Sequence, residues 1–127
     1  MAVSFDLVTI DSPRTDRLAS FWSAVLELHE IEREDGDRWI VLGDAAGTRR
    51  LGIQRGSHRS GGVHLDLRCT VEQFDAELTR VLGLGAAATT PARTEPYGRI
   101  ANLADPDGNL FGLMSAVMSD GTNAMAG

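Results

Sequence analysis

One arrangement limits this chain more than any other: the order strand, helix, strands is written twice, on either side of a stretch of glycine, serine and arginine. Phe5 to Ile10, with Val3 just before, has the apolar content of a strand, and Asp6 is its odd member, a carboxylate. Asp11-Ser12-Pro13 ends it, and Ser12 or Asp11 can cap a helix starting there. Between Arg14 and about Leu28, the residues Leu18, Phe21, Trp22, Val25 and Leu28 fall on one helical face. Glu30–Glu34, Trp39–Leu42 and Arg50–Gln54 come next as strands, with Asp35-Gly36 as a turn.

The same order then begins again. Val63–Cys69 alternates apolar and polar residues, as a half-buried strand does. Val71, Phe74, Leu78, Val81 and Leu82 make a second helical face, with Thr70 as its expected cap. Gly83 to Thr89 supplies a turn and a short strand. Arg99–Leu103 and Leu110–Met114 are strands joined by the turn Asp105-Pro106-Asp107-Gly108-Asn109. The reading is a single α+β domain over residues 1–127. Module one covers 3–55, a linker 56–62, module two 63–115 and a frayed tail 116–127. Two βαβββ modules of this size cannot stand alone, so their curved sheets are expected to pair across a pseudo-twofold around a central cleft. A ferredoxin-like or other α+β sandwich is the rival on periodicity alone.

Composition closes several chemistries. All 12 basic side chains are arginines, which excludes a Schiff-base lysine and a P-loop lysine. Cys69 is the only cysteine, so no internal disulfide and no cysteine cluster for zinc can form. With a net charge of -6, the chain is not expected to bind nucleic acid. No apolar run approaches the roughly 20 residues of a membrane span. No signal peptide is expected at Met1-Ala2-Val3-Ser4, and the address read from this is cytoplasmic.

Few side chains are left to carry chemistry. A carboxylate within a strand, as Asp6 is read, must be solvated, paired or functional. His64 can exchange protons near neutral pH, or it can line the sheet bonded to Asp66 or Asp6. Asp66, two residues on, shares its strand face. Trp39 opens a strand and can stack on a planar or apolar ligand, whereas Trp22 belongs to the helix face and the core. Gln54 offers an amide to a ligand carbonyl. Tyr97 and Arg99 can close a pocket rim, the arginine suiting an anion. His29 and His58 are expected to be solvated, and Cys69 to be a small core residue. Asp105 to Asn109 is too short for a calcium loop, and Gly83-Leu84-Gly85 comes after a helix rather than opening one.

Three segments resemble the vicinal oxygen chelate superfamily of glyoxalases, bleomycin-resistance proteins and extradiol dioxygenases, nearest its actinobacterial glyoxalase-like branch. Asp16-Arg17-Leu18-Ala19-Ser20-Phe21-Trp22 looks like the first-helix signature. Val63-His64-Leu65-Asp66-Leu67 looks like the first strand of the second module, and Asp105-Pro106-Asp107-Gly108-Asn109-Leu110-Phe111 like the turn before the final strand. The resemblance implies the glyoxalase-like fold and, in metal-dependent members, one ligand from the first and last strand of each module. The matching positions are Asp6, Gln54, His64 and Gly112, and both Asp6 to His64 and Gln54 to Gly112 are 58 residues apart. Gly112 has no side chain and Gln54 is a neutral ligand, leaving at most a weak divalent-cation site at Asp6 and His64.

The expectation is therefore a metal-independent small-molecule site with no cofactor, lined by Asp6, Trp39, Gln54, His64, Asp66 and Arg99. If it is an enzyme, His64 with Asp6 would move a proton in a lyase or isomerase reaction. Two alternatives stand beside it. One is a metal-dependent glyoxalase or dioxygenase with an altered ligand set; the other is a resistance-type protein that sequesters a small aromatic compound. Family members often form homodimers, and the sequence leaves that open here.

Overall fold

The computed structural model describes residues 5–58, 63–96 and 98–117. Most of the expected linker, residues 59–62, lies outside that range, as do Val3, Tyr97 and the tail from residue 118. The chain divides into two compact units near residue 59.

The first unit runs β1 (Val8–Ser12), α1 (Thr15–Leu26), β2 (His29–Glu34), β3 (Trp39–Gly43) and β4 (Arg49–Arg55). Its four-stranded sheet has the order β1-β4-β3-β2, with β1 parallel to β4 and the other pairs antiparallel. Residues paired side by side share a face. Ile10, Ile40, Leu42, Leu51 and Ile53 form the buried face, against which α1 lays Leu18, Phe21, Trp22 and Val25. Phe21 and Trp22 meet edge to face with ring centroids 5.1 Å apart. The opposite face carries Thr9, Asp11, Trp39, Val41, Gly52 and Gln54.

The second unit runs β5 (Leu65–Thr70), α2 (Phe74–Gly83), β6 (Ala87–Ala88), β7 (Arg93–Glu95), β8 (Gly98–Ala104) and β9 (Leu110–Val117). Again the first strand lies parallel to the last, in the order β5-β9-β8-β6, with β7 also on β8. Both β6 and β7 pair antiparallel with β8, to Ala104 and Leu103 and then to Ile100, Arg99 and Gly98. They are one edge strand interrupted around Pro91, a residue with no N–H to give to a ladder. Each unit is thus βαβββ with the same strand order.

Several boundaries differ from the sequence reading. β1 begins at Val8, so Asp6 precedes the strand, and β5 begins at Leu65, so His64 does too. Asp11 and Ser12 end β1 rather than capping α1; the Ser12 hydroxyl accepts the Arg14 N–H at 3.0 Å, one residue before the helix. In the second unit the first helical turn is spent on Val71 to Gln73. Thr70 and Gln73 bond reciprocally, Oγ1 accepting the Gln73 N–H at 3.2 Å and Oε1 the Thr70 N–H at 3.3 Å. The α-helix proper starts at Phe74, which leaves Val71 and Leu82 exposed rather than in the core. The final strand continues to Val117, two residues past the module end read from sequence. The turn before it is held by Asp105, buried at 3% exposure, whose carboxylate accepts the N–H groups of Asp107 and Asn109 and the Asn109 amide.

Candidate functional site

In the first unit, the face turned away from α1 is organised around Trp39. Its indole Nε1 donates to Glu32 Oε2 at 2.6 Å. The other Glu32 oxygen accepts Arg49 at 2.9 Å, and Arg49 Nε donates to Asp6 at 2.8 Å. These bonds to Trp39 and Arg49 hold the Glu32 carboxyl below the usual carboxylate range. Asp6 and Glu32 in turn raise the Arg49 guanidinium. Beneath the indole lies Gly52: a Cβ there would stand 2.6 Å from Trp39 Cη2 and 3.0 Å from Thr9 Oγ1. The glycine lets the ring lie down on β4, and the Glu32 bond fixes its rotation. Gln54, paired with Trp39 and Asp11 across the ladders, is exposed beside it.

A β-bulge places the carboxylate that does this. The register of β2 against β3 slips between Glu30 and Glu32, so that Glu30 faces Leu42 while Glu32 faces Val41 and Arg33 faces Ile40. Without the extra residue Ile31, Glu30 and Glu32 would point the same way. With it, Glu32 reaches the Trp39 side and Glu30 and Arg33 turn together to the α1 side. The Ile31 side chain folds over Gly43, where a Cβ would meet Ile31 Cδ1 at 2.6 Å.

In the second unit, Asp66, Gly112 and Asn102 are paired across three strands and share the face turned away from α2. His64 Nε2 stands 3.5 Å from Asp66 Oδ1, and the two side chains are 62% and 81% exposed. A Cβ on residue 112 would come within 3.3 Å of the same Asp66 oxygen. The carboxylate of β5 therefore leans over the position where β9 has no side chain.

Of the residues singled out from sequence, Trp39 and Gln54 come together in the first unit and His64 and Asp66 in the second. Asp6 lies apart from Trp39 except through Arg49, and its side chain is 63% exposed in that ion pair. Arg99 is a correction. It ion-pairs with Asp75 on α2, stacks 4.6 Å above the Phe74 ring, and its N–H donates to Ser115 Oγ. It is thus on the helix side of its sheet, opposite Asp66 and Asn102. The equal spacing of 58 residues also fails to carry over to the ladders. Gln54 faces Asp11 and Gly112 faces Asp66, so the first-unit counterpart of His64 by register is Thr9 rather than Asp6. Sequence reasoning passed over Glu32, Arg49 and Gly52. Their only signal was a glycine inside a strand opposite one that opens on tryptophan.

Of the four positions at which the resemblance implies metal donors, only His64 keeps an exposed side chain that commonly ligates a metal and is not taken by an arginine. Gly112 offers none, Gln54 offers a neutral amide, and Asp6 is held by Arg49. Among the described residues, no three His, Cys, Asp or Glu side chains converge as a cation's ligand set. Among those residues, too, no helix is long and apolar enough to cross a membrane.

Comparison with known proteins agrees with the architecture. A search of curated protein sequences finds no match. The fosfomycin resistance protein FosX of Listeria monocytogenes, solved as a variant with manganese(II) and 1S,2S-dihydroxypropylphosphonic acid, superposes with a TM-score of 0.72 at 20% identity over 91% of each chain. FosX of Mesorhizobium loti gives 0.71 at 18% identity, over 94% of this chain and 97% of that one. A glyoxalase/bleomycin resistance protein/dioxygenase family enzyme of Burkholderia phytofirmans gives 0.73 at 17%, covering 88% and 98%. The family model described as "Glyoxalase-like domain" matches residues 7–114, and with its twice-repeated βαβββ order the chain belongs to that family, within the vicinal oxygen chelate superfamily.

Proposed function

We propose that the chain binds a small planar or cationic aromatic molecule without a resident metal ion, on the Trp39 face of its first unit. The observation that carries this is the fixed indole: Gly52 beneath it and Glu32 at its N–H hold the ring before any ligand arrives. A pre-oriented aromatic surface loses little freedom on stacking, and nearby carboxylates favour a positively charged ring. Gln54 supplies a hydrogen-bonding edge beside it. A proton-transfer step, of the kind a lyase or isomerase uses, rests on His64 with Asp66 as its orienting partner. Asp6 serves instead to anchor Arg49. From its composition the protein is read as cytoplasmic, and a homodimer is an assembly its family allows.

N-methylquinolinium tests the binding proposal. Titrated into chelator-treated protein, it should quench Trp39 emission saturably, with the buried Trp22 as an internal constant. Trp39→Ala should abolish the saturable part, and manganese(II) or nickel(II) should leave it unchanged. Binding that appears only on adding a divalent ion would favour the metal-dependent alternative; quenching that never saturates would remove the site.

A further inference from the structure

The Trp39 face of the first sheet carries two neighbouring cross-strand rows. One runs Val41, Gly52, Thr9 and the next Trp39, Gln54, Asp11. The indole starts in the second row and comes to rest on the first. A Cβ at residue 52 would stand 2.6 Å from Trp39 Cη2 and 3.0 Å from Thr9 Oγ1, so the benzenoid end of the ring lies close to Thr9. Asp11 is two residues further along β1 on the same face, a step of about 6.7 Å.

Charge pairing on this face singles out Asp11. Asp6 and Glu32 share Arg49, and Glu34, across the ladder from Trp39, bonds Arg38. Arg55, the next cation along β4, pairs with Asp37. Asp11 is exposed, and its carboxylate meets neither a hydrogen-bond donor nor a cation among the described residues. Gly56 beside it has no side chain to cover it; a Cβ there would stand 3.4 Å from Asp11 Cγ. The Gln54 amide and the Thr9 hydroxyl, likewise without partners among the described residues, flank the gap between ring and carboxylate. We infer that Asp11 sets which ligands this surface takes: arylalkylammonium ions, with the aromatic ring on the indole and the ammonium N–H groups on the Asp11 carboxylate. A two-carbon tether between ring and nitrogen spans the step from the Thr9 row to the Asp11 row. The assignment deepens the stacking role proposed for Trp39 and rests on it. A ring-embedded quaternary cation stacks on the same indole but brings no N–H to Asp11, and a neutral alcohol brings no charge.

Phenethylammonium is the test probe, titrated into the full chain labelled with ¹⁵N. Phenethyl alcohol is its neutral counterpart, and N-methylquinolinium is the cation without N–H donors. Phenethylammonium should shift the Trp39 indole N–H and the amides of residues 9–11 saturably, and phenethyl alcohol should bind several-fold more weakly. Asp11→Asn should weaken phenethylammonium about fivefold to tenfold, the effect of losing a charge-assisted hydrogen bond at an exposed site. Asp11→Glu should recover most of that loss. N-methylquinolinium should bind Asp11→Asn within about twofold of the parent protein, since only a screened surface charge is removed. The inference is overturned if Asp11→Asn binds phenethylammonium as well as the parent does, if phenethyl alcohol binds equally, or if N-methylquinolinium loses as much as phenethylammonium. Each of those outcomes leaves the stacking proposal standing, because N-methylquinolinium still saturates on the parent protein. If N-methylquinolinium never saturates there, the stacking proposal falls and the assignment of Asp11 falls with it.

Discussion

The two units share strand order and differ in how firmly that order is packed. In the first, α1 buries Thr15, Leu18, Ala19, Phe21, Trp22 and Val25. In the second, α2 buries only Phe74 and Val81, and Leu82 and Val71 stay at the surface. Their polar faces differ in the same sense. Asp6, Arg49, Glu32 and Trp39 form an unbroken chain of charge-assisted bonds, whereas His64 and Asp66 stand 3.5 Å apart and largely solvated. A shared topology has been furnished once for rigidity and once loosely. The first unit holds an aromatic ring in place, and the second leaves an imidazole and a carboxylate largely exposed.

Core truncation gives the sharpest way to break this contrast. Trp22→Ala, at 1% exposure, should cost about 3–5 kcal/mol, and Val81→Ala about 2 kcal/mol. Urea denaturation of both variants reads the difference, and equal losses would mean that α2 is as firmly anchored as α1. A smaller effect is expected from Gly52→Ala. The methyl group must push the indole aside, at roughly 1–2 kcal/mol, and Trp39 emission should shift red as the ring leaves its seat.

The smallest effect concerns pH. Glu32 in the folded chain has its pKa lowered, first by the Trp39 indole and then by Arg49. A carboxyl so lowered stabilises the fold fully above its unfolded pKa, and that contribution fades as pH falls through the folded value. Trp39 emission should therefore hold steady through the usual carboxylate range and change only below it. Glu32→Gln should remove that transition, and an unchanged titration in the variant would show that another group controls the ring.

Much of the fold was legible because its signals are local. The Leu18–Phe21–Trp22–Val25 stripe, the Asp35-Gly36 turn with φ of 51° and 68°, and the Asp105–Asn109 turn each depend on residues within one or two turns of chain. The site was legible only in part. Trp39 and Gln54 each stand out within a strand, but the β3–β4 register is what pairs them on one face. Arg99 went to the wrong face, since only the placement of α2, with Asp75 and Phe74, shows which side of β8 the guanidinium takes. Asp6 was read as a strand residue available for chemistry, but an ion pair to Arg49, 43 residues away, claims it.

By itself, then, the sequence determined the element order, its repetition and the exclusion of lysine chemistry, internal disulfides and cysteine clusters. Tertiary structure alone decided the register of each ladder, the bulge at Ile31 and the partners of each charge. The physical reason is range. Helical and strand periodicity are properties of neighbouring residues, while a one-residue slip in pairing reverses every side chain beyond it. That slip brings Glu32 to the indole N–H and turns Arg33 towards Asp16 of α1.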